Sequence, residues 1–164
     1  APTGPLGLHL GEVVRVHGDP EGAHRIFVRV PTVGMDGLWA RLARVQASPG
    51  HGVHFLPQPG DEVLVGWLHD DPAGPVVLGS VHSLRRPPPH EAQPGPAVSA
   101  LVSPGRSTLE FDDRSGTLAL RTPGGRVVTL SDGLGQLRLS DAQGYEVVMD
   151  GQGLRVASTG DLHV

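Results

Sequence analysis

The sequence predicts an all-β protein, a small closed barrel followed by a ribbon of short strands that works as a homotrimer. Three observations predict it. The 164 residues contain 24 glycines and 16 prolines, which punctuate the chain too often for long helices. Residues 11–83 alternate short β-type runs with turn signals, the pattern of a small barrel. Residues 105–164 carry seven apolar pairs, each at i, i+2, a spacing that puts both side chains on one strand face.

Taken in order, residues 1–10 form a Pro/Gly-rich leader. The start Ala1-Pro2-Thr3-Gly4 has no initiator Met and no signal-peptide pattern, and reads as a fragment or processed form of a longer protein. Gly11 to His17 holds Val13-Val14-Arg15-Val16, the first strand. Asp19-Pro20-Glu21-Gly22 is turn chemistry. In Arg25 to Val30, Ile26, Val28 and Val30 share a face, and Pro31 ends the run because proline cannot donate to a ladder. Leu38 to Val45 is ambiguous: Leu38, Leu42 and Val45 fit a helical template. Val53 to Leu56 is a brief run. Asp61 to Leu68 sets Val63, Val65 and Trp67 against Glu62, Leu64 and Gly66. Pro59-Gly60-Asp61 launches this strand, and Asp70-Asp71-Pro72-Ala73-Gly74 turns it into Val76–Val81. Residues 84–104, with Pro87-Pro88-Pro89 and Pro94-Gly95-Pro96, read as an extended, semi-rigid linker.

The ribbon occupies residues 105–164. Its pairs are Leu109/Phe111, Leu118/Leu120, Val128/Leu130, Leu137/Leu139, Val147/Met149, Leu154/Val156 and Leu162/Val164, with first members stepping by 9, 10, 9, 10, 7 and 8 residues. Polar or glycine-rich turns separate them. Such a repeat is a stack of strands. Its apolar face has nothing in its own segment to cover it, and an open sheet also exposes its edges. The pairs alone do not offset the conformational entropy of ordering the segment. Three copies wound about one axis turn every apolar face inward and pair each edge with a sister chain. The fourteen pair residues are therefore the expected trimer core. The competing architecture is a monomeric sandwich or single-chain solenoid.

Composition removes several functions. There is no cysteine, so disulfides and thiolate chemistry are excluded. The formal net charge is −4 with no basic block, and aromatic residues make up 4%, which argues against nucleic acid. Every basic residue is Arg, and Lys and Asn are absent, a usage that fits a GC-rich genome. No apolar run approaches the ~18 residues of a membrane span.

Several segments carry a family likeness. They are Gly11-Glu12-Val13-Val14, Asp19-Pro20-Glu21-Gly22, Arg25 to Pro31, Trp39-Ala40-Arg41, Gly52 to Pro57, Gly60 to Val65, Asp71-Pro72, Pro75 to Gly79 and Pro87-Pro88. Over residues 11–88 the chain resembles the spike proteins of contractile injection systems: Vgr proteins of type VI secretion, central spikes of extracellular contractile particles, and phage baseplate assembly protein V. The likeness after residue 105 is architectural. The resemblance implies an OB-fold collar over residues 11–83 and an intertwined triple-stranded β-helical needle over 105–164. It favours a strand for Leu38–Val45. It implies a structural spike at the tube tip or baseplate centre, part of a secreted or cell-associated particle, and the absence of a secretion-signal pattern sets the expectation that assembly starts in a bacterial cytoplasm. The partners it implies are two sister copies, baseplate hub and tube proteins, and a conical PAAR-like tip protein or an effector. A target membrane is then touched only mechanically.

No constellation for catalysis emerges, and no cofactor is expected. His51 and His54 suggest half a metal site, but zinc needs three or four ligands, and no spaced third ligand is near. His17, His24 and His69 sit beside turns and are expected in solvent. His163 would come together in three copies near the axis of a parallel trimer; it is the one tip-metal candidate, although alternation points Leu162 and Val164 inward and His163 outward. Asp112-Asp113, Asp132, Asp141 and Asp150 suggest calcium, but the Gly-Gly-x-Gly-x-Asp pattern is absent. The rival functions are a trimeric adhesin or tail-fibre module, for which the ribbon offers only Tyr145 beyond inward Phe111, and a hydrolase, for which it offers no pocket signature.

Overall fold

The structure, a computed structural model, describes residue 5, residues 7–95 and residues 98–161. The chain divides into two units, residues 1–88 and 89–164. All regular elements among the described residues are strands, apart from two short 3-10 turns.

The first unit is a closed barrel of five strands in the order β1-β2-β3-β7-β6, consistent with an OB fold. The strands are β1 (His9–Arg15), β2 (Ile26–Val30), β3 (Met35–Leu42), β6 (Glu62–Trp67) and β7 (Pro75–Ser80). Closure comes from a parallel pairing of β3 with β7, set against antiparallel pairings elsewhere. Alternation decides the interior. Val13, Ile26, Val28, Val30, Ala40, Val63, Val65, Trp67 and Val77 form its core. Leu38–Leu42 is strand, as the resemblance implied, and β3 starts earlier and stops before Val45. The helical template fails there because alternation carries Ala40 into the core and Trp39 and Arg41 to the outside. Val53–Leu56 is not a strand; the local hairpin is instead β4 (Ala47–Ser48) with β5 (His51–Gly52). Asp19 ties its turn together: its carboxylate accepts from the backbone N–H groups of Glu21 and Arg25 and meets the Arg25 guanidinium at 2.7 Å.

The second unit is one seven-stranded antiparallel meander, in the order β14 to β8. It comprises β8 (Val98–Val102), β9 (Thr108–Asp112), β10 (Thr117–Arg121), β11 (Val127–Ser131), β12 (Gln136–Ser140), β13 (Glu146–Asp150) and β14 (Gly153–Ala157). One expectation changes here. Residues 98–102, read as linker, are the strand β8, paired residue by residue with β9; the flanking Pro94, Pro96 and Pro104 mask a short run of Val98, Ala100, Leu101 and Val102. Within the chain, each of β9–β13 takes both neighbours from its own meander. The reason is local. Connections of two to five residues return the chain directly alongside the preceding strand.

Glycine placement on the barrel wall gives a test. A Cβ at Gly37 would lie 2.3 Å from the Phe27 ring, whereas one at Gly79 would meet nothing within 4 Å. Gly37→Ala is expected to destabilise the barrel by about 1–3 kcal/mol through overpacking, and Gly79→Ala to leave it nearly unchanged. Thermal melts of the two variants compare them directly.

Candidate functional site

The ribbon's apolar face is built by a hairpin repeat. Ser103, Thr122 and Asp141 open the five-residue connections and stand 19 residues apart. In each case the side-chain oxygen accepts the backbone N–H four residues on: Ser107 to Ser103 Oγ, Arg126 to Thr122 Oγ1, Tyr145 to Asp141 Oδ1. The opening N–H of each also donates to the carbonyl at the loop's end. The fourth loop residue is left-handed each time: Arg106 (φ 65), Gly125 (φ 79) and Gly144 (φ 93). At the other ends of the strands Asp112, Ser131 and Asp150, again 19 apart, accept backbone N–H groups from the following turns. These caps fix register, and register decides which face each side chain takes.

The result is two unbroken rows of directly opposed residues. One runs Phe111, Leu118, Leu130, Leu137, Met149, Leu154; the other runs Leu109, Leu120, Val128, Leu139, Val147, Val156. Strand β8 adds Leu101 to the second row and Ser99 to the first. Seven strands at about 4.8 Å spacing make rows roughly 29 Å long. Among the described residues of the ribbon nothing buries this face: Phe111 is 44% exposed, Leu120 48%, Met149 55% and Leu154 63%. The predicted core residues Leu109 to Val156 thus lie together on one face. Leu162, His163 and Val164 lie outside the described residues.

The opposite face is polar and tied across strands. Arg138 pairs with Glu146, Arg155 with Asp150 at 2.8 Å, and Arg121 with Glu110 at 3.8 Å. Ala119, Ser131 and Val148 on this face are buried. The acidic turn residues Asp112, Asp141 and Asp150 spend their oxygens on backbone N–H groups. His24, His51 and His54 line one surface cleft of the barrel unit, yet no group of three or more His, Asp or Glu among the described residues is placed to hold a metal. No helix among the described residues is long and apolar enough to cross a membrane. Pattern reading missed Leu101 and the caps; the recurrence of Ser, Thr or Asp every 19 residues was the available signal.

Two tests follow from the turns. The carboxyls of Asp19, Asp112 and Asp150 are held below the ordinary value of 3.8. The causes are, first in each case, the Arg25 side chain, hydrogen bonding to Ser115, and the Gln152 backbone N–H. A depressed folded pKa stabilises above the unfolded value and is lost as pH falls through the folded one. The melting temperature should therefore drop as pH falls below 3.8, with Asp19→Asn showing a shallower acid slope. Arg106 is the non-glycine at the left-handed loop position, so Arg106→Gly is expected to stabilise the ribbon by about 0.5–1 kcal/mol, read as a raised melting temperature.

Residues 9–82 match the family described as the type VI secretion system/phage-baseplate injector OB domain. The type VI secretion system spike protein VgrG4b of Pseudomonas aeruginosa is 34% identical over 128 residues, covering 70% of this chain and 15% of that protein. The spike proteins VgrG1a and VgrG1b of the same organism are each 29% identical over 65 residues, 40% of this chain and 10% and 9% of theirs. The chain therefore spans a small part of the curated relatives it matches. Through its barrel, the chain belongs to the injector OB-domain family of type VI secretion and phage-baseplate spikes.

Proposed function

We propose that this chain is a structural, non-enzymatic part of a contractile injection spike, acting as a homotrimer. The observation that carries the reading is the pair of apolar rows, roughly 29 Å long, which no residue of the ribbon covers. Three copies facing a common axis remove these side chains from water, and each buried Leu or Val then contributes about 1.5–3 kcal/mol. Strand pairing stays within each chain, so the interface is side chain against side chain. The barrel serves as a collar and the ribbon as a shaft, pushed through an envelope when a sheath contracts. Sheath contraction supplies the work. The spike supplies stiffness, because a dry axial core makes local opening costly. Its polar face of paired Arg, Asp and Glu suits passage through water without aggregation.

The wider assembly belongs to the same proposal. The shaft's far end docks a conical tip protein or an effector, and the collar meets hub and tube components. The particle is assembled in a bacterial cytoplasm. The support for these partners is the family relationship of the barrel.

Mass measurement in solution tests the trimer at micromolar concentration. A trimer is the expected outcome; a monomer at that concentration overturns the reading. Leu130→Asp, on the apolar face, is expected to abolish the trimer. Arg138→Asp, which breaks an exposed ion pair worth about 0–1 kcal/mol, is expected to keep it. Equal loss in both would refute the inward and outward assignment.

A further inference from the structure

The ribbon is a meander, so its connections fall on two long margins. One margin holds the loops 103–107, 122–126 and 141–145, and the other holds the turns 113–116, 132–135 and 151–152. The margins differ in charge. Along the turns stand Asp112, Asp113, Asp132 and Asp150 against Arg114, and Glu91 lines a cleft with Asp112 and Arg114. His90 in that cleft is met by Glu110 at 3.7 Å. The first two loops carry Arg106 and Arg126 and no acid. Asp141 opens the third loop and spends an oxygen on the N–H groups of Gln143 and Tyr145; Asp161 lies beyond β14. Arg121, Arg138 and Arg155 on the polar face are all paired. Arg126, Asp113 and Asp132, in contrast, are exposed, and among the described residues their side chains take part in no hydrogen bond or ion pair. Leu134, on the turn 132–135, is 71% exposed and belongs to neither apolar row.

We propose that the two margins are the complementary halves of a seam between copies of this chain, the loops of one copy meeting the turns of the next. The seam rests on the trimer reading above and adds how its walls join. The apolar rows run between the margins, so closing them about an axis along the ribbon brings margin to margin. Rotation about that axis carries each copy onto the next without a flip. The contact is therefore heterologous and closes into a ring: loops meet turns, and loops never meet loops. Rotation also brings no shift along the axis. With the strands running across it, successive loops stand two strands apart, about 10 Å, and each turn lies at a level midway between two loops. Turns therefore enter the gaps between the neighbour's loops. The loop 122–126 falls between the neighbour's turns 113–116 and 132–135, so Arg126 has an acid of that copy on either side, Asp113 and Asp132. Leu134 enters the gap between the loops 122–126 and 141–145, which Ala142 and Tyr145 border. Arg106 shares its level with Arg114 as well as Asp113, and the charge argument rests on Arg126 alone.

Sedimentation of the full chain over a dilution series gives the concentration at which half of it is trimeric. Arg126→Asp sets like charges together in the seam and is expected to raise that concentration roughly tenfold. Asp132→Arg is expected to do the same. The double variant Arg126→Asp/Asp132→Arg restores an opposed pair in each seam and is expected to recover most of the loss. Arg126 and Asp132 flank opposite ends of β11, about 20 Å apart. That is well past the ~8 Å screening length at physiological salt, so the rescue cannot arise inside one chain. Neither side chain holds its own turn, so the variants should keep the parent's circular dichroism, which is checked alongside. A double variant no tighter than the single ones overturns the seam, as does an Arg126→Asp trimer as tight as the parent. In both cases the parent's trimer, and the spike reading with it, stands. A parent that is monomeric at micromolar concentration overturns the trimer reading itself, and the seam falls with it.

Discussion

An apolar face without a lid is the constraint from which the rest of the ribbon follows. Each strand from β9 to β14 gives two large apolar side chains to the same side. Polar groups and ion pairs occupy the other side. A sheet so divided is stable only when a second apolar surface closes over the first. The turns hold this asymmetry in place. A slip of one residue would carry every Leu and Val to the polar face, and the side-chain caps at Ser103, Thr122 and Asp141 oppose such a slip in each hairpin.

The barrel answers the same problem alone. Five strands close on themselves, leave no free edge, and bury Val13, Ile26, Val28, Val30, Val63, Val65 and Val77 to within 1% of full burial. One unit therefore satisfies its hydrophobic face within a single chain and the other does not. That contrast assigns their labour in the proposed spike. A self-sufficient module can hold its shape while it is carried and positioned. An open module gains its order from association, and association makes it rigid along its length.

How much of this was legible in the sequence depends on what each signal measures. Alternation reports faces, so Ile26/Val28/Val30, Val63/Val65/Trp67 and the ribbon pairs were readable without coordinates. The family likeness decided Leu38–Leu42, where the apolar spacing alone suited a helix. Alternation does not report neighbours. The ribbon pattern is the same whether a strand pairs with its own chain or with a sister, and within the chain the short connections decide which strand lies alongside which. Prolines misled at Val98–Val102, because a proline two residues before a strand leaves every N–H of the ladder available. The cluster on the barrel's outer wall, where the Arg15 guanidinium lies over the Phe27 and Trp39 rings, was illegible for a different reason. These residues come from three strands, and a β-bulge on β1 shifts the register between Val13 and Arg15, so that Arg15 stands opposite Phe27.

In-chain pairing also changes what an assembled shaft would resist. Where strands are exchanged between chains, pulling one copy out breaks backbone hydrogen bonds along its whole length. Where each copy keeps its own meander, separation breaks only side-chain contacts, and the hydrogen-bonded ladder remains in each sheet. The hydrophobic contribution is non-directional and grows with area, so cohesion rises with the number of strands in the rows and does not hinge on any one layer. Bending a copy, in contrast, must strain a continuous ladder stapled at both ends by its caps. In the proposed trimer such a shaft would be stiff because each wall is internally bonded and because the three walls would share one dry interior. Lengthening such a ribbon needs nothing more than another hairpin of the same 19-residue design.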